Sequence, residues 1–115
     1  MFLLYKSKLF MQQWQDYAQG YKDRAGVLLA ERFIVAVEDA LNFIQVNPNA
    51  CTPYFPGEGY ADLQAHHFRK WSLKDFPHLV LFRVVEKVIS VEALYAHKQD
   101  IDARLYVYND LEPGQ

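Results

Sequence analysis

The 115 residues contain a single cysteine, Cys51. An intrachain disulfide is therefore excluded, and a reducing cytoplasm is the expected setting. No run approaches the ~20 apolar residues that a membrane span needs. The apolar N-terminus "MFLLYKSK" meets charge already at Lys6, so no secretory leader is expected. There are five glycines, and they form no phosphate-cradling loop. His66 and His67 are adjacent, so in an extended chain they point to opposite sides and cannot share a metal. With no other ligand spacing in view, neither a metal site nor a cofactor is expected. Charge of one sign is also scarce: the formal net charge is −2. That balance argues against strong non-specific nucleic-acid binding.

Apolar material is plentiful, at 51% hydrophobic and 16% aromatic. One domain spanning residues 1–115, with a tail from about 106, follows from length and composition. "FLLY" (2–5) predicts a short strand. From residue 8 the period changes to that of a helix. Phe10, Trp14, Tyr17 and Tyr21 then fall on one stripe, and Ser7 sits where an N-cap belongs. Gly20, Asp23 and Gly26 mark a break. Ala30, Phe33, Ile34, Val37, Leu41 and Ile44 form the apolar stripe of a second helix, which "NPN" (47–49) ends. Residues 48–66 read as loop.

The remainder reads as strands over 67–75, 79–85 and 88–96, with "FPH" (76–78) and "EK" (86–87) as turns. A two-residue turn at 86–87 pairs Val85 with Val88, Val84 with Ile89, Arg83 with Ser90 and Leu81 with Glu92. Alternation then sorts the hairpin into two faces. Val80, Phe82, Val84, Ile89, Val91, Ala93 and Tyr95 form the face expected to meet the helices. Leu79, Leu81, Arg83, Val85, Val88, Ser90, Glu92 and Leu94 form the other, with Glu92 within reach of Arg83. The order is β-α-α-β-β-β. It is an α+β fold of two layers, a helical hairpin on an antiparallel sheet. The second face is apolar enough to need a cover, from a partner protein, a second copy or residues 101–110.

This ordered set resembles the RelE/ParE superfamily of toxins, the plasmid stabilisation proteins of bacterial toxin–antitoxin modules. "AERFIVAVEDALNFIQVNP" (30–48), Arg69 in a strand, the "FP" turn leading into "LVLFRV" (79–84), and "VISVEALYAHKQD" (88–100) follow the family layout across roughly residues 1–105. The resemblance implies a toxin component neutralised by a cognate antitoxin. In its ParE-like branch such a protein acts by binding a target protein such as DNA gyrase. In its RelE-like branch it cuts mRNA on the ribosome, with cations stabilising the transferring phosphate and a group that activates the 2′-hydroxyl.

If the chain were a ribonuclease, the resemblance makes Arg69, Arg83, His97, Lys98 and Tyr106 its catalytic candidates. The family's usual arginine after the histidine is absent, however: "HKQD" supplies Lys98 and an uncharged Gln99. That departure and the net charge favour the ParE-like branch, and a binding protein over an enzyme. A diverged, non-toxic binding module stands as a further alternative. The partner-binding candidates are Arg69, Arg83, Leu79, Leu81 and Trp14, with a homodimer as another possible assembly. Arg69 and Arg83 each have a structural reading too. Arg69 could pair with Asp75, Glu92 or Asp100, and Arg83 with Glu92.

Overall fold

The computed structural model describes residues 1–57, 65–97, 101, 102 and 104. Strand β1 (Leu3–Lys6) leads directly into helix α1 (Lys8–Ala25). Ser7 makes that junction. Its hydroxyl accepts from the Phe10 N–H at 3.0 Å and donates to the Glu92 carbonyl at 2.7 Å. One side chain therefore caps the helix and ties it to the sheet. The helix runs through Gly20 and Asp23, where a break was expected, and stops only at Gly26. Gly26 has φ +95°, a region that L side chains rarely adopt, so it can turn the chain in one residue. Helix α2 (Val27–Val46) begins immediately after it and ends at Asn47, before Pro48.

Four further strands follow: β2 (Thr52–Pro53), β3 (Arg69–Ser72), β4 (His78–Val85) and β5 (Val88–Ala96). Together with β1 they form one sheet of order β1-β5-β4-β3-β2. The sheet is mixed, not antiparallel as expected, because β1 lies parallel to β5. Crossing from β1 to β5 through the helical hairpin gives the parallel sense. The expected loop over 48–66 contains β2, two residues paired with Lys70 and Arg69. The expected strand 67–75 is shorter, because His67 and Asp75 adopt left-handed backbone (φ 53° and 67°) on either side of it.

The β4–β5 hairpin pairs as expected from Val85–Val88 to Arg83–Ser90 and then slips. Phe82 pairs with Val91 and Leu81 with Ala93, so Glu92 is an extra residue in β5. This β-bulge shifts the alternation of everything beyond it by one. Leu94 consequently joins the core beneath the helices, alongside Val80, Phe82, Ile89 and Val91. Ala93 and Tyr95 move to the opposite face, with Leu79 and Leu81. These three positions reverse the expected assignment, and a bulge is the cause.

The helix-side core is built on Phe10, Phe33, Val37, Leu41 and Ile44 against the sheet. Ile34, expected in that stripe, is 38% exposed, and Ala40 is buried instead. Tyr17, Tyr21 and Phe33 surround His78, which is buried, and Phe76 packs on Tyr21 and Phe33. Phe43 stacks on Trp71 with ring centroids 4.1 Å apart. The second face has its own small core: Phe68, Leu79, Leu81, Ala93, Tyr95 and Ile101. Ile101 thus provides part of the expected cover from the C-terminal stretch. Asp102 fastens that cover, accepting from the Tyr54 hydroxyl and from the Gly57 N–H.

The buried His78 imidazole has its pKa lowered to about 4, chiefly by burial and secondarily by the nearby charge of His97. Above the unfolded value of 6.5 both states are neutral there, and the group adds no pH dependence. As pH falls from 6.5 to about 4, only the unfolded chain takes up the proton, so stability is lost across that window. Between pH 7 and pH 5 the protein is expected to lose roughly 2 kcal/mol more than a His78→Phe variant. Urea titrations of both proteins at the two pH values give this difference directly.

Candidate functional site

The second face of the sheet carries a polar cluster at the end where β4 turns into β5. Arg83 in β4 lies opposite Ser90 in β5. Its Nε donates to Glu92 Oε1 at 3.0 Å, and its Nη2 lies 2.9 Å from the same oxygen. Its Nη1 is 3.2 Å from His66 Nδ1, and the guanidinium carbon lies 5.8 Å from the Phe68 ring centroid. The Ser90 hydroxyl donates to Glu92 Oε1 at 2.9 Å. Glu92 lies two residues beyond Ser90 in β5, on the same face as Arg83, and is the unpaired residue of the bulge. The Glu92 side chain is 8% exposed and the Arg83 side chain 33% exposed.

All three nitrogens of Arg83 are therefore engaged within the chain. A guanidinium held this way is a positioned surface feature more than an open phosphate clamp. The expected pairing of Arg83 with Glu92 is present. Alternation alone could suggest Glu92, but His66 and Phe68 come from beyond the described hairpin and carry no sequence signal linking them to it.

Arg69 is placed differently. It pairs across β3–β4 with Phe82, a residue of the helix-side core. Arg83 is the next residue along β4, so the two arginines project from opposite faces of the sheet. Arg69 Nη1 donates to the Cys51 carbonyl at 2.8 Å. Among the described residues, Arg69 makes no ion pair with Asp75 or Glu92, and Asp100 lies outside them. His97 is exposed just beyond the far end of β5, where its N–H donates to the Pro77 carbonyl at 3.0 Å. At about 3.3 Å per residue, it stands roughly 20 Å along the strand from Ser90 and Arg83. Lys98 and Tyr106 lie outside the described residues.

Leu79 and Leu81 are buried with Phe68 and Ile101 and do not reach the surface of the chain as it stands. Trp14 lines an outer groove of about 480 Å³ between the two helices, with Ala18, Ala30 and Ile34. Its buried indole Nε1–H has no acceptor among the described residues. A larger groove, about 790 Å³, runs between α2 and β3, walled by Leu28, Val35, Trp71, Leu73 and Phe76. This groove and the burial of His78 were not anticipated, since both depend on how helices and sheet meet.

Among the described residues, no group of His, Cys, Asp and Glu could hold a metal ion, and no helix is long and apolar enough to cross a membrane.

The family model described as the ParE toxin of the type II toxin–antitoxin system, parDE, matches residues 4–101. No curated protein matches the sequence. Among solved structures, one titled the chromosomal ParDE TA system from P. aeruginosa superposes with a TM-score of 0.68 at 18% identity. The match covers 84% of this chain and 96% of the other.

Proposed function

This chain belongs to the ParE toxin family of type II toxin–antitoxin systems, and from that premise we propose that it stops growth by binding a target protein in the cytoplasm. DNA gyrase is the first candidate target, and a cognate antitoxin is the neutralising partner. The carrying observation is the dispersal of the cationic candidates. Arg69 and Arg83 stand on opposite sheet faces, and His97 lies at the far end of the hairpin from Arg83. Phosphodiester cleavage needs charge and a proton acceptor converging on one phosphate, whereas a protein surface can use each of them separately.

The two apolar grooves support the reading, because helices and extended segments of a partner dock into such channels. Trp14 is the best placed of the partner-binding candidates. Its ring forms a groove wall, and its buried N–H has no acceptor among the described residues. Arg83, a third exposed at its side chain, is the polar candidate on the other face.

Expressing the chain alone is expected to arrest growth, and co-expressing the antitoxin is expected to restore it. Undiminished growth at full expression of the folded protein would remove the toxin reading.

A further inference from the structure

Strand β1 is the edge of the sheet. Its inward side is used: the N–H groups of Leu3 and Ser7 donate to the carbonyls of Lys87 and Val91 at 2.8 and 2.9 Å. By alternation the backbone groups of Leu4 and Lys6 point outward, where no further strand lies among the described residues. The Phe2 carbonyl on this outer side receives the Gln45 amide at 3.0 Å, so the open stretch begins at Leu4. Leu3 and Tyr5 are 59% and 60% exposed. They pair with Val88 and Ser90, which places them on the second face of the sheet, beside the Arg83 cluster. An open strand edge flanked by two large exposed apolar side chains recruits another strand.

We propose that β1 pairs antiparallel with β1 of a second copy of this chain, about a two-fold axis through Leu4, to give one continuous ten-stranded sheet. The sequence of the strand selects this occupant. In this register Leu4 faces Leu4, and their outward N–H and carbonyl groups exchange two hydrogen bonds. Leu3 faces Tyr5 of the second copy and Tyr5 faces Leu3, so all four exposed side chains are covered at once. Lys6 faces Phe2 rather than Lys6, so no like charges meet. A two-fold interface requires such self-complementarity. The axis runs perpendicular to the sheet, so both helical layers stay on one side and both Arg83 clusters on the other. With five facing residues, 2–6, from each copy, the interface is at the small end of the range, and the dimer dissociates on dilution.

Sedimentation velocity across a dilution series tests this with the purified chain, independently of its toxicity. The wild type is expected to pass from dimer to monomer on dilution. Leu3→Lys/Tyr5→Lys sets lysine against lysine twice and is expected to weaken association about tenfold or more. Leu3→Glu/Tyr5→Lys sets glutamate against lysine twice and is expected to restore it. Far-UV circular dichroism checks that both variants fold, as substitutions at exposed positions should. A wild type that is monomeric at every concentration overturns the proposal. So does a lysine pair that leaves association intact, and so does a charge-swapped pair that fails to restore it.

Discussion

Arg83→Met is expected to lower stability by about 3–5 kcal/mol. Methionine keeps most of the aliphatic bulk and removes the charge. The Glu92 carboxylate, only 8% exposed, then keeps one side-chain donor, the Ser90 hydroxyl. A buried carboxylate stripped of its counter-charge bears its desolvation cost alone. The converse change is expected to cost less, about 1–2 kcal/mol for Glu92→Gln. Arg83 is a third exposed at its side chain, so water can reach it, and it retains its contacts with His66 and Phe68. Removing both charges, as Arg83→Met/Glu92→Gln, is expected to recover most of the loss. Urea midpoints of the four proteins, compared at unchanged m-value, measure the cycle. If Arg83→Met proves as stable as the wild type, the ion pair contributes nothing and the arginine is maintained for a partner alone.

Phe33→Ala is the second large effect, also about 3–5 kcal/mol. Phe33 is fully buried. Its ring lies 5.0 Å from Tyr21 and from His78, 5.2 Å from Phe76 and 6.3 Å from Tyr17. Alanine would leave a void bounded by four rings from α1, β4 and the turn before it. Rings held by three different elements cannot all close in without moving the backbone. Phe33→Leu, which fills much of that volume, is expected to cost about 1.5 kcal/mol or less. A domain whose total stability is of order 5–15 kcal/mol tolerates the second change and is brought close to unfolding by the first. Equal thermal midpoints for the alanine and leucine variants would show that the cluster collapses freely.

The architecture was readable wherever a period ran unbroken. The aromatic stripe from Phe10 to Tyr21 and the apolar stripe from Ala30 to Ile44 declared two helices, and the turn at Glu86–Lys87 set the hairpin register as far as Arg83. Reading failed at the bulge. "SVEAL" (90–94) alternates without a glycine or proline to announce an extra residue, so Glu92 looked like an ordinary outward position. That one residue exchanges the faces of Ala93, Leu94 and Tyr95 and leaves Glu92 itself on the face of Arg83. The parallel placement of β1 and the two-residue β2 have no periodic signature at all, since neither depends on the residues next to it in sequence. For the candidate site, the pairing of Arg83 with Glu92 was legible from cross-strand geometry. The separation of Arg69 from Arg83 rests on the β3–β4 register, which sets Arg69 opposite Phe82 and which no turn residue announces. His78 falls in a turn by its sequence, because its burial comes from three rings distant in sequence, Tyr17, Tyr21 and Phe33.

We propose that this ParE family member acts by occupying a target protein and not by cutting RNA. The most direct measurement is DNA supercoiling by purified gyrase with increasing amounts of the purified chain, alongside mapping of mRNA ends in cells that express it. The account predicts progressive loss of supercoiling with mRNA left intact. Full gyrase activity together with cleavage at codon boundaries would contradict it.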